Sequence, residues 1–191
     1  GLSSDTVYEN VPGAFVGNLS SSDPDAGDTF TYSIQPGGDG ASFVIVGNQL
    51  QVGPSILDYE AGATRSVTIR TTDAGGLFFD KVFTINVLNV DESPVGIALD
   101  NDTVSENSPN AIVGNLSSTD PDAGDTFTYT IQPGGDGASF VISGGQLLVG
   151  PAGLDYEAGA TRSVTIRTTD AGGLFFDKTF TINVTNVNED P

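Results

Sequence analysis

Ser66-Val67-Thr68-Ile69-Arg70-Thr71 and, beyond the turn residues Asp73-Ala74-Gly75-Gly76, Val82-Phe83-Thr84-Ile85-Asn86-Val87 alternate polar and apolar side chains one by one. A period of two places Val67, Ile69, Phe83, Ile85 and Val87 on one face and Ser, Thr, Arg and Asn on the other, the pattern of strands with one buried and one wet face. Thr29-Phe30-Thr31-Tyr32-Ser33-Ile34 shows the same alternation upstream. Val44-Ile45-Val46 and Leu50-Gln51-Val52 flank Gly47-Asn48-Gln49, which reads as a hairpin turn. Helix signals are nearly absent, while β-branched and aromatic residues are frequent and Gly and Pro punctuate the chain. The fold class that follows is all-β, with about seven short strands in a Greek-key sandwich.

The pattern occurs twice. A shift of 97 positions, which carries Glu9 onto Glu106, superimposes the two halves of the 191-residue chain without a gap. Asp23-Pro24-Asp25-Ala26-Gly27-Asp28 returns as Asp120-Pro121-Asp122-Ala123-Gly124-Asp125, and Leu57-Asp58-Tyr59-Glu60 as Leu154-Asp155-Tyr156-Glu157. Two tandem domains, 1–94 and 95–191, are therefore expected end to end, each large enough for a modest core of its own. Stalks, spacers and multivalent binders gain from each added copy, whereas an enzyme rarely needs adjacent copies of one active site. The chain reads as a segment of something longer.

Composition narrows the function. His, Cys, Met and Trp are all absent, which removes disulfides, thiolate and imidazole catalysis, and zinc or haem sites built on Cys or His. Six basic residues against 25 acidic ones give a formal charge of −19, so the chain repels phosphate and no nucleic-acid partner is expected. No apolar run approaches the ~20 residues of a membrane span, so membrane insertion by this segment is not expected either.

The acids avoid the strands and gather in loops: Asp23, Asp25 and Asp28; Asp58 and Glu60; Asp73; Asp91 and Glu92. Crowded carboxylates repel one another unless a cation lies among them. Calcium accepts oxygens from several loops in flexible geometry, while magnesium demands a tighter octahedron and retains water. A halophile's acidic surface would scatter acids over the strand faces, which instead carry Thr, Ser, Asn and Arg. Asp39 and Asp136, within Pro-Gly-Gly-Asp-Gly, read as turn residues. An EF-hand counted from Asp23 would need Gly and Glu where Asp28 and Ile34 stand.

In order, Tyr8-Glu9-Asn10, Asp23-Pro24-Asp25, Leu57-Asp58-Tyr59-Glu60, Thr72-Asp73-Ala74-Gly75-Gly76 and Val87-Leu88-Asn89-Val90-Asp91-Glu92-Ser93-Pro94 resemble the cadherin repeat, most of all the cadherin-like repeats of large bacterial surface adhesins. The resemblance implies a seven-stranded Greek-key domain with termini at opposite ends and Ca2+ bound between successive domains. Carried over by position, it implies Glu9, Asp58, Glu60, Asp91 and Glu92 from one repeat and its linker, and Asp120, Asp122 and Asp170 from the next, as inter-domain ligands. The same positions leave half-sites at the two ends of the chain: Asp23, Asp25 and Asp73, and Glu106, Asp155, Glu157, Asn188 and Glu189. The linker departs from the family in being one residue shorter, with Asn89 in place of the first Asp and Glu92 in place of a shorter acid. The Trp-swap adhesion of animal cadherins has no counterpart in a chain without Trp.

A calcium-stiffened extracellular spacer or adhesion segment is the function these readings converge on. Its partners would be neighbouring repeats of the same chain and a cell-surface protein or polysaccharide, and the segment itself would be monomeric. The alternative is a calcium-dependent carbohydrate-binding module. For that, one of Phe78 and Phe79, and one of Phe175 and Phe176, should face outward, either as a sugar platform or packed under a loop; Tyr59 and Tyr156 are further candidates. Paired carboxylates could also serve a glycosidase, but duplicated loop acids without a general-base neighbour read as metal ligands, and no enzyme is expected.

Overall fold

The structure, a computed structural model, describes every residue except Ala26, Asp190 and Pro191. Ala26 of the first Asp-Pro-Asp loop and the last two residues of the second repeat thus lie outside the described residues. The chain forms two compact units, Gly1–Val90 and Asp91–Pro191, dividing a few residues ahead of Pro94. Both are all-β, and each has two packed sheets.

Unit 1 contains β1 (Thr6–Tyr8), β2 (Phe15–Asn18), β3 (Thr31–Ile34), β4 (Phe43–Val46), β5 (Gln49–Val52), β6 (Thr64–Thr72) and β7 (Phe78–Leu88). Its sheets run β1-β7-β6-β3 and β2-β5-β4. Unit 2 contains β8 (Gly96–Leu99), β9 (Thr103–Ser105), β10 (Ile112–Thr119), β11 (Thr128–Ile131), β12 (Phe140–Ser143), β13 (Gln146–Val149), β14 (Thr161–Thr169) and β15 (Phe175–Thr185). Its sheets run β12-β13-β10-β8 and β11-β14-β15-β9.

The core of unit 1 follows the alternation of its long hairpin. Val67 and Ile69 of β6 and Ile85 and Val87 of β7 are buried against Val16, Phe43, Leu50 and Val52 of the facing sheet. Val164, Ile166, Ile182 and Val184 do the same in unit 2. Burying each such side chain contributes about 1.5–3 kcal/mol, which is what holds the sheets face to face.

The first strand of unit 2 is split between the sheets. β8 pairs antiparallel with β10, Leu99 opposite Leu116. After residues 100–102, β9 pairs parallel with β15, Thr103 opposite Asn183. In unit 1 a bridge between Leu2 and Leu19 stands at the position of β8, and β1 pairs parallel with β7. Parallel pairing brings the ends of β1 and β7 to the same edge. The residue after β1 is Glu9, whose N–H donates to Leu88 O at 3.1 Å. Asn10 follows with φ +60, a left-handed conformation that asparagine tolerates. Its N–H donates to Leu57 O at 3.1 Å, which draws the Asp58–Glu60 loop to the same edge.

Candidate metal centres

Glu9 has no exposed surface. Both carboxylate oxygens accept backbone hydrogen bonds, Oε2 from Tyr59 N at 2.6 Å and Oε1 from Val90 N at 2.9 Å. Asp58 Oδ1 accepts from Ala61 N at 2.9 Å. One carboxylate oxygen from each of Glu9, Asp58 and Glu60 lies within 4.8 Å of the others. Arg65 is close by, yet it donates to the backbone carbonyls of Asp58, Gly62 and Thr64.

Unit 2 repeats this arrangement with Glu106, Asp155 and Glu157. Glu106, 1% exposed, accepts from Tyr156 N at 2.8 Å and Val187 N at 2.7 Å. Glu189 Oε1 accepts from Asn107 Nδ2, and Glu157 Oε1 from Asn186 Nδ2. Asn188 is exposed beyond β15.

A second kind of centre is built on the loops after β10 and between β14 and β15. Asp91, Asp125 and Asp170 each bring a carboxylate oxygen within 4.8 Å of the others. Backbone amides hold neighbouring acids by one oxygen. Asp120 Oδ1 accepts from Asp122 N at 3.0 Å, and Asp122 Oδ2 from Glu92 N at 2.7 Å. Asp170 Oδ1 accepts from Gly173 N and Leu174 N at 2.6 and 2.8 Å. The Oδ2 atoms of Asp120, Asp125 and Asp170 are buried and have no hydrogen-bond partner. A carboxylate oxygen removed from water without a donor is costly, and an oxygen-seeking cation offsets several at once. Desolvation, followed by the charges of Asp170, Asp122 and Asp120, pushes the Asp91 carboxyl above its ordinary pKa. Asp125 is raised in the same way, by desolvation and then by Asp120, Asp91, Asp122 and Asp170. An all-oxygen, like-charged donor set fits a hard divalent cation, and its collection from separate loops suits calcium.

In unit 1 the counterparts of Asp120, Asp125 and Asp170, namely Asp23, Asp28 and Asp73, form a trio of their own. Asp25 is exposed, and its N–H donates to Asp23 Oδ1 at 2.9 Å. Asp73 Oδ1 accepts from Leu77 N.

The sequence-derived ligands therefore group by unit. Glu9, Asp58 and Glu60 gather in unit 1; Asp91, Asp120, Asp122 and Asp170 belong to the unit 2 centre, where Glu92 enters through its backbone N–H. Asp28, named among the loop acids, and its counterpart Asp125 were not among the ligands that the resemblance implies, yet each joins an acid trio. Their signal was an acid three places after Asp25 and Asp122, present in both copies. Asp39 and Asp136 hold strands, their Oδ2 atoms accepting from Ser66 N and Ser163 N.

The second aromatic pair has one outward ring as expected, and the first has two. Phe78 and Phe79 are both exposed, at 59% and 65%, while in unit 2 Phe175 is exposed and Phe176 packs against the core. An arginine, not a loop, covers each first phenylalanine. The Arg70 guanidinium lies 3.7 Å from the Phe78 ring centre and pairs with Asp80, and Arg167 repeats this over Phe175 with Asp177. Tyr59 and Tyr156 pack against the cores.

No family profile matches the chain. Among solved structures, human protocadherin-24 EC1-2 matches with 22% identity and a TM-score of 0.68, covering 95% of this chain and 95% of that one. Protocadherin gamma B2 extracellular cadherin domains 3-6 match with 20% identity and a TM-score of 0.70, over 98% of this chain and 47% of that one. The human desmocollin-1 ectodomain matches with 20% identity and a TM-score of 0.57 over 99% of this chain. The chain spans 32% of the protocadherin gamma B4 extracellular domain and 42% of the desmocollin-1 ectodomain. The fold is cadherin-like. No helix among the described residues is long and apolar enough to cross a membrane.

Proposed function

We propose that the chain is an extracellular pair of calcium-binding, cadherin-like repeats that serves as a spacer or adhesion segment of a larger surface protein, with calcium held around the linker. The observation that carries this reading is the set of buried, unpartnered oxygens on Asp120, Asp125 and Asp170. When bound, calcium supplies a divalent charge and accepts about six to eight oxygens. The chain's own residues prepare for it by fixing the linker. Glu9 grips Val90 N from unit 1, and Asp122 grips Glu92 N within unit 2. Asp91 stands between those two anchored residues with its carboxylate in the acid cluster.

The extracellular assignment draws on the protocadherin and desmocollin structures, which are extracellular domains and an ectodomain by name. The role is mechanical rather than catalytic. The chain has no His or Cys, and backbone amides hold one oxygen each of Asp120, Asp122 and Asp170. Its first partners are the neighbouring repeats of the same chain.

Thermal melting in calcium, in magnesium and in chelator tests the reading. A ligand that binds only the native state adds RT ln(1 + [L]/Kd), about 1.4 kcal/mol at ten times Kd. Millimolar calcium is expected to raise the melting temperature, and magnesium at equal concentration to do much less. Coincident curves in calcium and chelator would show that the acids hold no structural cation.

A further inference from the structure

We propose that Asp125 is itself a cation ligand, closing the unit 2 centre with Asp91, Asp120, Asp122 and Asp170. This rests on the calcium reading above and extends it to a residue outside the set that the cadherin resemblance implies.

Asp125 follows Gly124, whose φ of +97 turns the chain back just after the Asp-Pro-Asp segment. One Asp125 oxygen reaches within 4.8 Å of oxygens of both Asp91 and Asp170. Asp125 Oδ2 is buried and has no hydrogen-bond partner; the same holds for Asp120 Oδ2, although Asp120 accepts from Asp122 N with its other oxygen. Independent support comes from Asp170. It is only 6% exposed, its Oδ1 takes two backbone amides, and its buried Oδ2 takes none. The 120–125 loop thus buries two unsatisfied carboxylate oxygens, on Asp120 and Asp125, and the loop between β14 and β15 buries one, on Asp170, an arrangement that a shared cation would satisfy. The first copy repeats the turn and the acid trio: Gly27, with φ +97, precedes Asp28, which joins Asp23 and Asp73. A carboxylate ligand adds a formal charge, and calcium affinity at oxygen sites rises with ligand charge.

The test is a set of melting curves on the full chain, in chelator and across a calcium series, for wild type, Asp125→Asn, Asp125→Ala and the control Asp102→Asn. The control removes one charge at an exposed position outside the cluster. A ligand role gives a crossover. In chelator, Asp125→Asn should melt at or above wild type, because one of five crowded like charges is gone. In calcium it should melt below wild type, with the concentration for the half-maximal rise shifted upward by about tenfold or more. Asp125→Ala should behave alike, and Asp102→Asn like wild type. If wild type responds to calcium and Asp125→Asn responds at the same concentration, Asp125 is not a ligand although the centre exists. Equal loss of stability in both buffers would make Asp125 a structural residue and overturn the proposal. A wild type that ignores calcium overturns the calcium reading and this proposal together.

Discussion

Glu9 and Glu106 combine full burial with a negative charge, and each is satisfied by two backbone amides from different segments. A carboxylate can accept both bonds; a glutamine side chain must turn a donor toward one N–H. Glu9→Gln should therefore lose about 1–3 kcal/mol of stability in chelator, where cation binding plays no part. Denaturant unfolding measures it, and an unchanged midpoint would mean that the two amides do not depend on the charge. The motif Tyr8-Glu9-Asn10 made this acid legible as a candidate ligand. Its second role, pinning the Tyr59 loop to Val90, was not legible, because it depends on two chain segments arriving at one edge. Asp125 was obscured for a related reason. The resemblance carries no ligand onto its position, and the fold brings it beside Asp91 and Asp170.

Among the elements, the β6–β7 hairpin was the most legible, since the alternation over 66–71 and 83–87 specifies both the strand and its buried face. The divided first strand was not. β1 and β9 are three residues each, too short for a period, and their parallel partners lie about eighty positions away in sequence. What the split requires is visible at two glycines. Where residues 100–102 cross between sheets, a Cβ on Gly114 would come 2.5 Å from Asn101 O, and one on Gly17 would come 2.6 Å from Ser4 O. Both neighbours are backbone, and each glycine adjoins a register shift in β10 or β2. Gly114→Ala should cost about 1–3 kcal/mol as an overpacked site, with Gly17→Ala close to it. Chemical denaturation of the two variants checks this, and wild-type stability for Gly114→Ala would show that the crossing yields without strain.

For the whole molecule, the duplication and the gathering of most acids in loops were the most informative features of the sequence, with Asp80 of β7 and Asp177 of β15 as strand acids paired to arginines. A net charge of −19 spread evenly would serve solubility alone. Among the described residues, acids gather into four carboxylate clusters, two in each unit, whose like charges repel unless cations are present. The most direct measurement is equilibrium dialysis of the chelator-stripped chain against calcium, counting bound ions per folded chain. Saturable uptake of more than one calcium per chain at up to millimolar concentration, displaced poorly by magnesium, is the expected result. No saturable uptake by a chain that remains folded would contradict it, leaving the clusters as an acidic surface without a bound metal.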